Sequence, residues 1–157
     1  MKFPRTVRLD GSDENVFPLA AQKDEWALTG TFAFSDVDPD ELSKKQILAF
    51  RNGWLGTESF GHSTFVSIQE ISDKHYQSVV SSVADYIFKY FEAPDMNLAM
   101  KAARGEVEFA VELCDYPIGT MLSIERSFTD EGISERFHVI QNQNENTHTK
   151  IWSIVDD

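Results

Sequence analysis

One cysteine among 157 residues, Cys114, leaves no partner for an internal disulfide and fits a reducing compartment. Basic residues are also scarce: 14 Lys and Arg stand against 26 Asp and Glu, for a net charge of −12. Only Lys44 and Lys45 are adjacent, so the chain lacks the clustered positive charge that marks a nucleic-acid backbone or an anionic lipid surface as a partner. No stretch approaches the roughly 18 apolar residues of a membrane span. Pro4, Arg5 and Arg8 interrupt the N-terminal region before the apolar core of a signal peptide could form. These absences lead to the expectation of a cytoplasmic protein that engages neither nucleic acid nor membrane.

Metal and nucleotide signatures are missing as well. His62, His75, His138 and His148 are widely spaced, and no CxxC, HExxH or EF-hand pattern occurs. The glycine-rich GWLGTESFGHS stretch follows a predicted helix and precedes a predicted strand, whereas a phosphate-binding fingerprint needs strand, glycine turn and helix. Neither a metal, a cofactor nor a catalytic residue is therefore expected. Gly53 and Gly56 read as left-handed positions at a helix end.

What the chain does contain is a large apolar investment: 41% hydrophobic residues, including 12 Phe, 4 Tyr and 3 Trp, enough to fill the core of one domain. Its clearest periodicity runs from Ser72 to Glu92. At 100° per residue Tyr76, Val79, Val80, Val83, Tyr86, Ile87, Tyr90 and Phe91 share an arc of roughly 160°, which predicts an amphipathic helix buried along that whole stripe. A second helix is predicted from Asp95 to Leu113. A third is predicted from Pro39 to about Asn52, with Asp38 as N-cap and Leu42, Ile47, Phe50 and Trp54 on its apolar face.

Period-two alternation predicts strands at Phe3–Leu9, at Glu25–Ser35 and at Thr64–Ile71, and a hairpin of Thr120–Phe128 with Ile133–Ile140 around a TDEG turn. The fold class is α+β: a single domain with an antiparallel or mixed sheet of about five to six strands, hairpins at both ends, covered mainly on one face by three helices. Residues 1–141 form that domain. Residues 142–157 comprise a polar linker and a terminal segment, KIWSIVDD, whose Ile151, Trp152, Ile154 and Val155 belong either to an edge strand or to a docking peptide.

Five polar residues are candidates for a pocket. Glu58 and His62 lie on the glycine-rich loop, where function often resides. Cys114 ends an apolar helix face, and lacks the helix N-terminal placement that activates a thiol. Glu106 falls in the middle of an apolar helix face, and Arg126 shares the inward strand face with Leu122, Ile124 and Phe128. Buried charges are usually paired, so Glu106 and Arg126 are expected to satisfy each other.

The segments FPRTVRLD, DEWALTGTFAFSD, AFRNGWLGTESFGHSTFV and LCDYPIGT resemble a small family of uncharacterised bacterial proteins, over most of residues 3 to 140. That resemblance implies genes near those for molybdenum-dependent formate dehydrogenase and its maturation proteins, hence an accessory role, and it supplies no catalytic residues. The leading reading is a non-enzymatic accessory protein that binds another protein or itself. The alternatives are a small-molecule-binding domain or enzyme with a pocket near Glu58, His62, Glu106, Cys114 and Arg126, and a structural homodimer. A convergence of those five residues in one cavity would favour the pocket.

Overall fold

Two capped helices form the scaffold of the structure, a computed structural model that describes residues 1–9 and 11–140 and the backbone of residues 141 and 151–156. Ser72 Oγ accepts the His75 N–H at 3.1 Å and starts the helix Asp73–Tyr90. Asp95 Oδ1 accepts the Leu98 N–H at 2.9 Å and starts Met96–Leu113. Val79, Val80, Val83 and Ile87 of the first helix meet Ala99, Ala103, Val107 and Ala110 of the second, all buried. The alanines let the two backbones approach closely, and the left-handed Glu92 (φ 54°) with Pro94 turns the chain between them. The buried stripe is narrower than the sequence arc: it stops at Ile87, and Tyr90 and Phe91 are 68% and 38% exposed.

In chain order the strands are β1 (Lys2–Val7), β2 (Ala27–Leu28), β3 (Trp54–Gly56), β4 (His62–Ser63), β5 (Phe65–Glu70), β6 (Met121–Thr129), β7 (Gly132–Gln141) and β8 (Ile151–Asp156). The helices are α1 (Asp13–Val16), α2 (Lys44–Asn52), α3 (Asp73–Tyr90) and α4 (Met96–Leu113). All ladders are antiparallel, in a five-stranded sheet of order β1-β5-β6-β7-β8 and a three-stranded sheet β2-β3-β4. The chain is thus a single α+β domain. Val66 and Ile68 of β5, Leu122 and Ile124 of β6, and Phe137 and Val139 of β7 share one face and pack on Ala27 and Trp54 of the small sheet and Phe109 of α4.

Several local expectations are corrected. The strand expected over Glu25–Ser35 lasts only from Ala27 to Leu28, because Gly30 turns left-handed (φ 81°) and Thr31–Phe34 coils into a 3-10 turn. The alternating aromatics are then divided: Phe34 enters a cluster with Phe17 and Phe50, and Phe32 faces Phe91. The helix expected from Pro39 begins instead at Lys44. Asp38 caps only the 3-10 turn Pro39–Glu41, while Ser43 and Gln46 form a complete capping box that restarts the chain as α2. Trp54 consequently belongs to β3 rather than to the helix face. Residues 13–16 make the short helix α1. Leu9 lies beyond the first strand and is exposed, and β1 pairs along its length with β5 and with the chain before β2 only at the Arg5–Trp26 bridge, so the N-terminal end carries no hairpin ladder. Phe128 is partly exposed and stacks on Phe50 at 3.9 Å. At the C-terminus β8 pairs with β7 along the sheet edge, whereas the linker and the side chains of Ile151, Trp152, Ile154 and Val155 lie outside the described residues.

Gly53 and Gly56 are not left-handed, and close approach explains them instead. A Cβ at Gly56 would lie 2.5 Å from Glu25 Oε1, and one at Gly53 would lie 2.7 Å from the Ala49 carbonyl. Gly105 on α4 faces open space. Gly105→Ala should therefore raise stability by about 0.5–1 kcal/mol, while Gly56→Ala should lower it by more than about 2 kcal/mol by displacing a buried carboxylate from its donors. Urea denaturation of both variants checks this contrast.

Candidate functional site

The small sheet is fastened at its two ends by opposite charges. Glu25, 0% exposed, lies two residues before β2. Its Oε1 accepts the N–H groups of Glu58 at 2.9 Å and Ser59 at 2.7 Å, and its Oε2 accepts the Ser59 hydroxyl at 2.6 Å and the Gln22 N–H. Four donors converge on one acceptor-only group. The glycine-rich loop thus does cradle an anion, but the anion is the chain's own.

Arg126, 1% exposed, supplies the opposite clamp. One terminal nitrogen donates to the carbonyls of Phe50 at 2.7 Å and Gly53 at 3.0 Å, and more weakly to that of Ala49, which satisfies the C-terminus of α2. The other donates to the Thr29 carbonyl, just after β2. Nε donates to Thr31 Oγ1 at 2.6 Å, and Thr31 in turn donates to Glu135. Among the described residues no carboxylate forms a direct ion pair with Arg126. Burial lowers its pKa to about 10 even though Glu135 and Glu106 oppose that shift.

The Arg126–Thr31–Glu135 relay fixes one wall of a groove. Thr31, Phe32, Ser35, Glu106, Phe109, Ile133 and Glu135 surround a cavity of ≈ 540 Å³. A second, of ≈ 430 Å³, lies between Phe32, Ser35, Asp36, Ile87, Tyr90, Phe91, Glu92 and Glu106. The two share Phe32, Ser35 and Glu106 and so form halves of one depression. Phe32 meets Phe91 edge to face at 5.4 Å across it. Among the described residues, every charged side chain lining either half is acidic. Glu106, partly buried, has its pKa raised by burial and next by Glu135, with Arg126 opposing.

Beyond Phe91 the aromatic surface continues. Tyr86 lies 5.5 Å from Phe91 and 5.2 Å from Tyr90, and Phe60 stacks flat on Tyr86 at 3.9 Å. Phe60 holds a left-handed backbone (φ 57°) to do so, a conformation unfavourable to a bulky residue. The loop that grips Glu25 therefore also presents an aromatic ring to α3.

The sequence candidates are distributed over these features. Arg126 sits under the groove and Glu106 lines it, with Glu135 between their fields. His62 packs on Phe17 and Phe34 behind Arg126 and lines neither half, and its buried Nε2 has no hydrogen-bond partner. Glu58 is exposed and contributes its backbone N–H to Glu25. Cys114 is buried at the end of α4 among Trp54, Val66 and Ile68, where burial pushes the thiol up to about 12. Among the described residues no three of His, Cys, Asp and Glu gather as a metal site, and no helix is long and apolar enough to cross a membrane.

A family model matches residues 1–156. The chain belongs to DUF6505, a family of unknown function. No curated protein matches it, and no solved structure does. In this DUF6505 chain the groove is the largest concentration of exposed aromatic and acidic side chains described above. Sequence reasoning missed Glu25, Thr31, Phe32, Glu135 and Tyr90 as groove or clamp residues. Glu135 was within reach: a two-residue turn at Asp130 and Glu131 sets Arg126 opposite Glu135 in the hairpin register.

His62 gives the clamp region a pH signature. Burial, with Arg126 adding to it, lowers its pKa from 6.5 to about 4. Between those values the unfolded chain binds a proton that the folded chain refuses, so stability should be constant in this respect above pH 6.5 and fall as pH drops toward 4. The full loss is about 3 kcal/mol. His62→Leu should flatten that part of the profile, as chemical denaturation across the window would record.

Proposed function

We propose that the protein works by non-covalent capture of a partner protein, with the aromatic and acidic groove between the Thr31–Phe34 turn, the end of α3 and α4 as its working surface. The observation that carries this reading is the exposure of Tyr90 and Phe91 at 68% and 38% at the end of a helix whose Val79, Val80, Val83 and Ile87 are packed away. Contiguous exposed aromatics beside a preformed depression are characteristic of interaction surfaces. They lie next to Phe60, whose backbone conformation is otherwise costly, which supports a surface maintained for contact rather than for stability. The family resemblance adds an accessory role, beside a metalloenzyme system in the bacterial cytoplasm. Capture of a second copy of this chain at the same groove is the homodimeric form of this reading.

A second reading has its own support. A cavity of ≈ 540 Å³ is of a size to hold a small molecule, and the raised pKa of Glu106 suits a carboxyl group that exchanges a proton with a ligand. The paired substitution Tyr90→Ala with Phe91→Ala distinguishes the two. Affinity purification of the tagged full chain from its native cells should return a specific protein partner, and the double variant should lose it while keeping the melting temperature within about 3 °C. Retention of the same partner by a folded double variant would overturn the assignment of this surface.

A further inference from the structure

The groove's lining specifies the chemistry of what it captures. Its apolar surface comes from Phe32, Phe91, Phe109, Ile87 and Ile133, and its charged side chains are Asp36, Glu92, Glu106 and Glu135, with no Lys, Arg or His among the described residues lining either half. Glu135 has one internal partner, the Thr31 hydroxyl. Glu106, in the wall that the two halves share, makes no hydrogen bond or ion pair among the described residues, which leaves both of its oxygens for a ligand. Arg126 makes no direct ion pair with Glu106: four of its five N–H donors are engaged by the Thr29, Phe50 and Gly53 carbonyls and by Thr31.

Carboxylates beside aromatic edges and faces favour a cation that is planar, weakly hydrated and able to donate two parallel hydrogen bonds. Guanidinium has those properties and ammonium does not. We propose that the occupant of the groove is an arginine-bearing segment of a partner protein, its guanidinium donating to Glu106 and stacking on the Phe32 and Phe91 rings, with an apolar neighbour seated against Ile133 and Phe109. This inference rests on the capture reading above and adds the partner's chemistry. The net charge of −12 works in the same direction, accelerating the approach of a basic segment at low ionic strength.

The test uses the purified full chain and defined probes. Fluorescence anisotropy would be measured for a short labelled peptide of alternating arginine and leucine, for the same peptide with citrulline in place of arginine, and for its lysine counterpart. Citrulline preserves the shape and removes the charge. The arginine peptide should bind at least about tenfold more tightly than the citrulline and lysine peptides, and its affinity should fall with added salt. Glu106→Gln should weaken it by about tenfold, and Glu70→Gln, on an exposed residue that lines neither half of the groove, should not change it. Equal binding of arginine and citrulline peptides, absence of arginine-peptide binding, or indifference to Glu106→Gln would overturn the proposal. Argininamide binding as tightly as the peptide would also overturn it, by making the occupant a small cation. The capture reading fails separately, through the Tyr90 and Phe91 double variant.

Discussion

The buried guanidinium of Arg126 is the interaction on which the remaining arrangement depends. It joins three segments far apart in sequence: the strand β6 that carries it, the C-terminus of α2 and the chain leaving β2. A buried cation is tolerable only when its donors are matched, and here carbonyl oxygens and one hydroxyl provide the match that a carboxylate would usually provide. Glu25 repeats the solution with the sign reversed, its carboxylate surrounded by N–H groups and a hydroxyl. The short sheet β2-β3-β4 would be marginal by itself, with strands of two or three residues. Anchored by a cation at one end and an anion at the other, it packs on the large sheet through Ala27 and Trp54 and on the helices through Leu28.

The groove is a consequence of that anchoring. Gly30 reverses the chain, Arg126 holds Thr29 and Thr31, and the 3-10 turn projects Phe32 toward Phe91. The same hydroxyl that accepts from Arg126 donates to Glu135, so the buried cation and the groove's acidic wall are joined by one threonine. On the other side the loop clamped by Glu25 places Phe60 on Tyr86 and extends the aromatic surface. Structural and exposed features therefore share residues, and a change in either clamp would propagate to the surface.

Much of the fold was legible because it is periodic. The helices α3 and α4, the β6–β7 hairpin and the inward direction of Arg126 all follow from spacings of 3.6 or two residues. The errors occurred where local signals competed. Asp38-Pro39 is a strong helix start, yet the Ser43/Gln46 capping box five residues later prevailed. The aromatic alternation from Trp26 to Phe34 imitates a strand, and only the left-handed Gly30 ends it. The candidate site was less legible for a physical reason. Backbone groups satisfy Glu25 and most of Arg126's donors, and backbone groups have no identity in a sequence. Glu106, read from the sequence as a carboxylate in the middle of an apolar face and a partner for Arg126, lies instead beside the buried stripe of α4, where its surroundings are a groove and the neighbouring Glu135.

The central claim, that Arg126 sets the position of the groove wall, is most directly tested by hydrogen–deuterium exchange on Arg126→Lys, which keeps the positive charge and loses the fork of donors. The amides of residues 29–35 should exchange at least about tenfold faster than in the parent protein, while those of the α3–α4 pair stay protected, because the loss is local. Unchanged protection across residues 29–35, or equal acceleration throughout α3 and α4, would contradict the account.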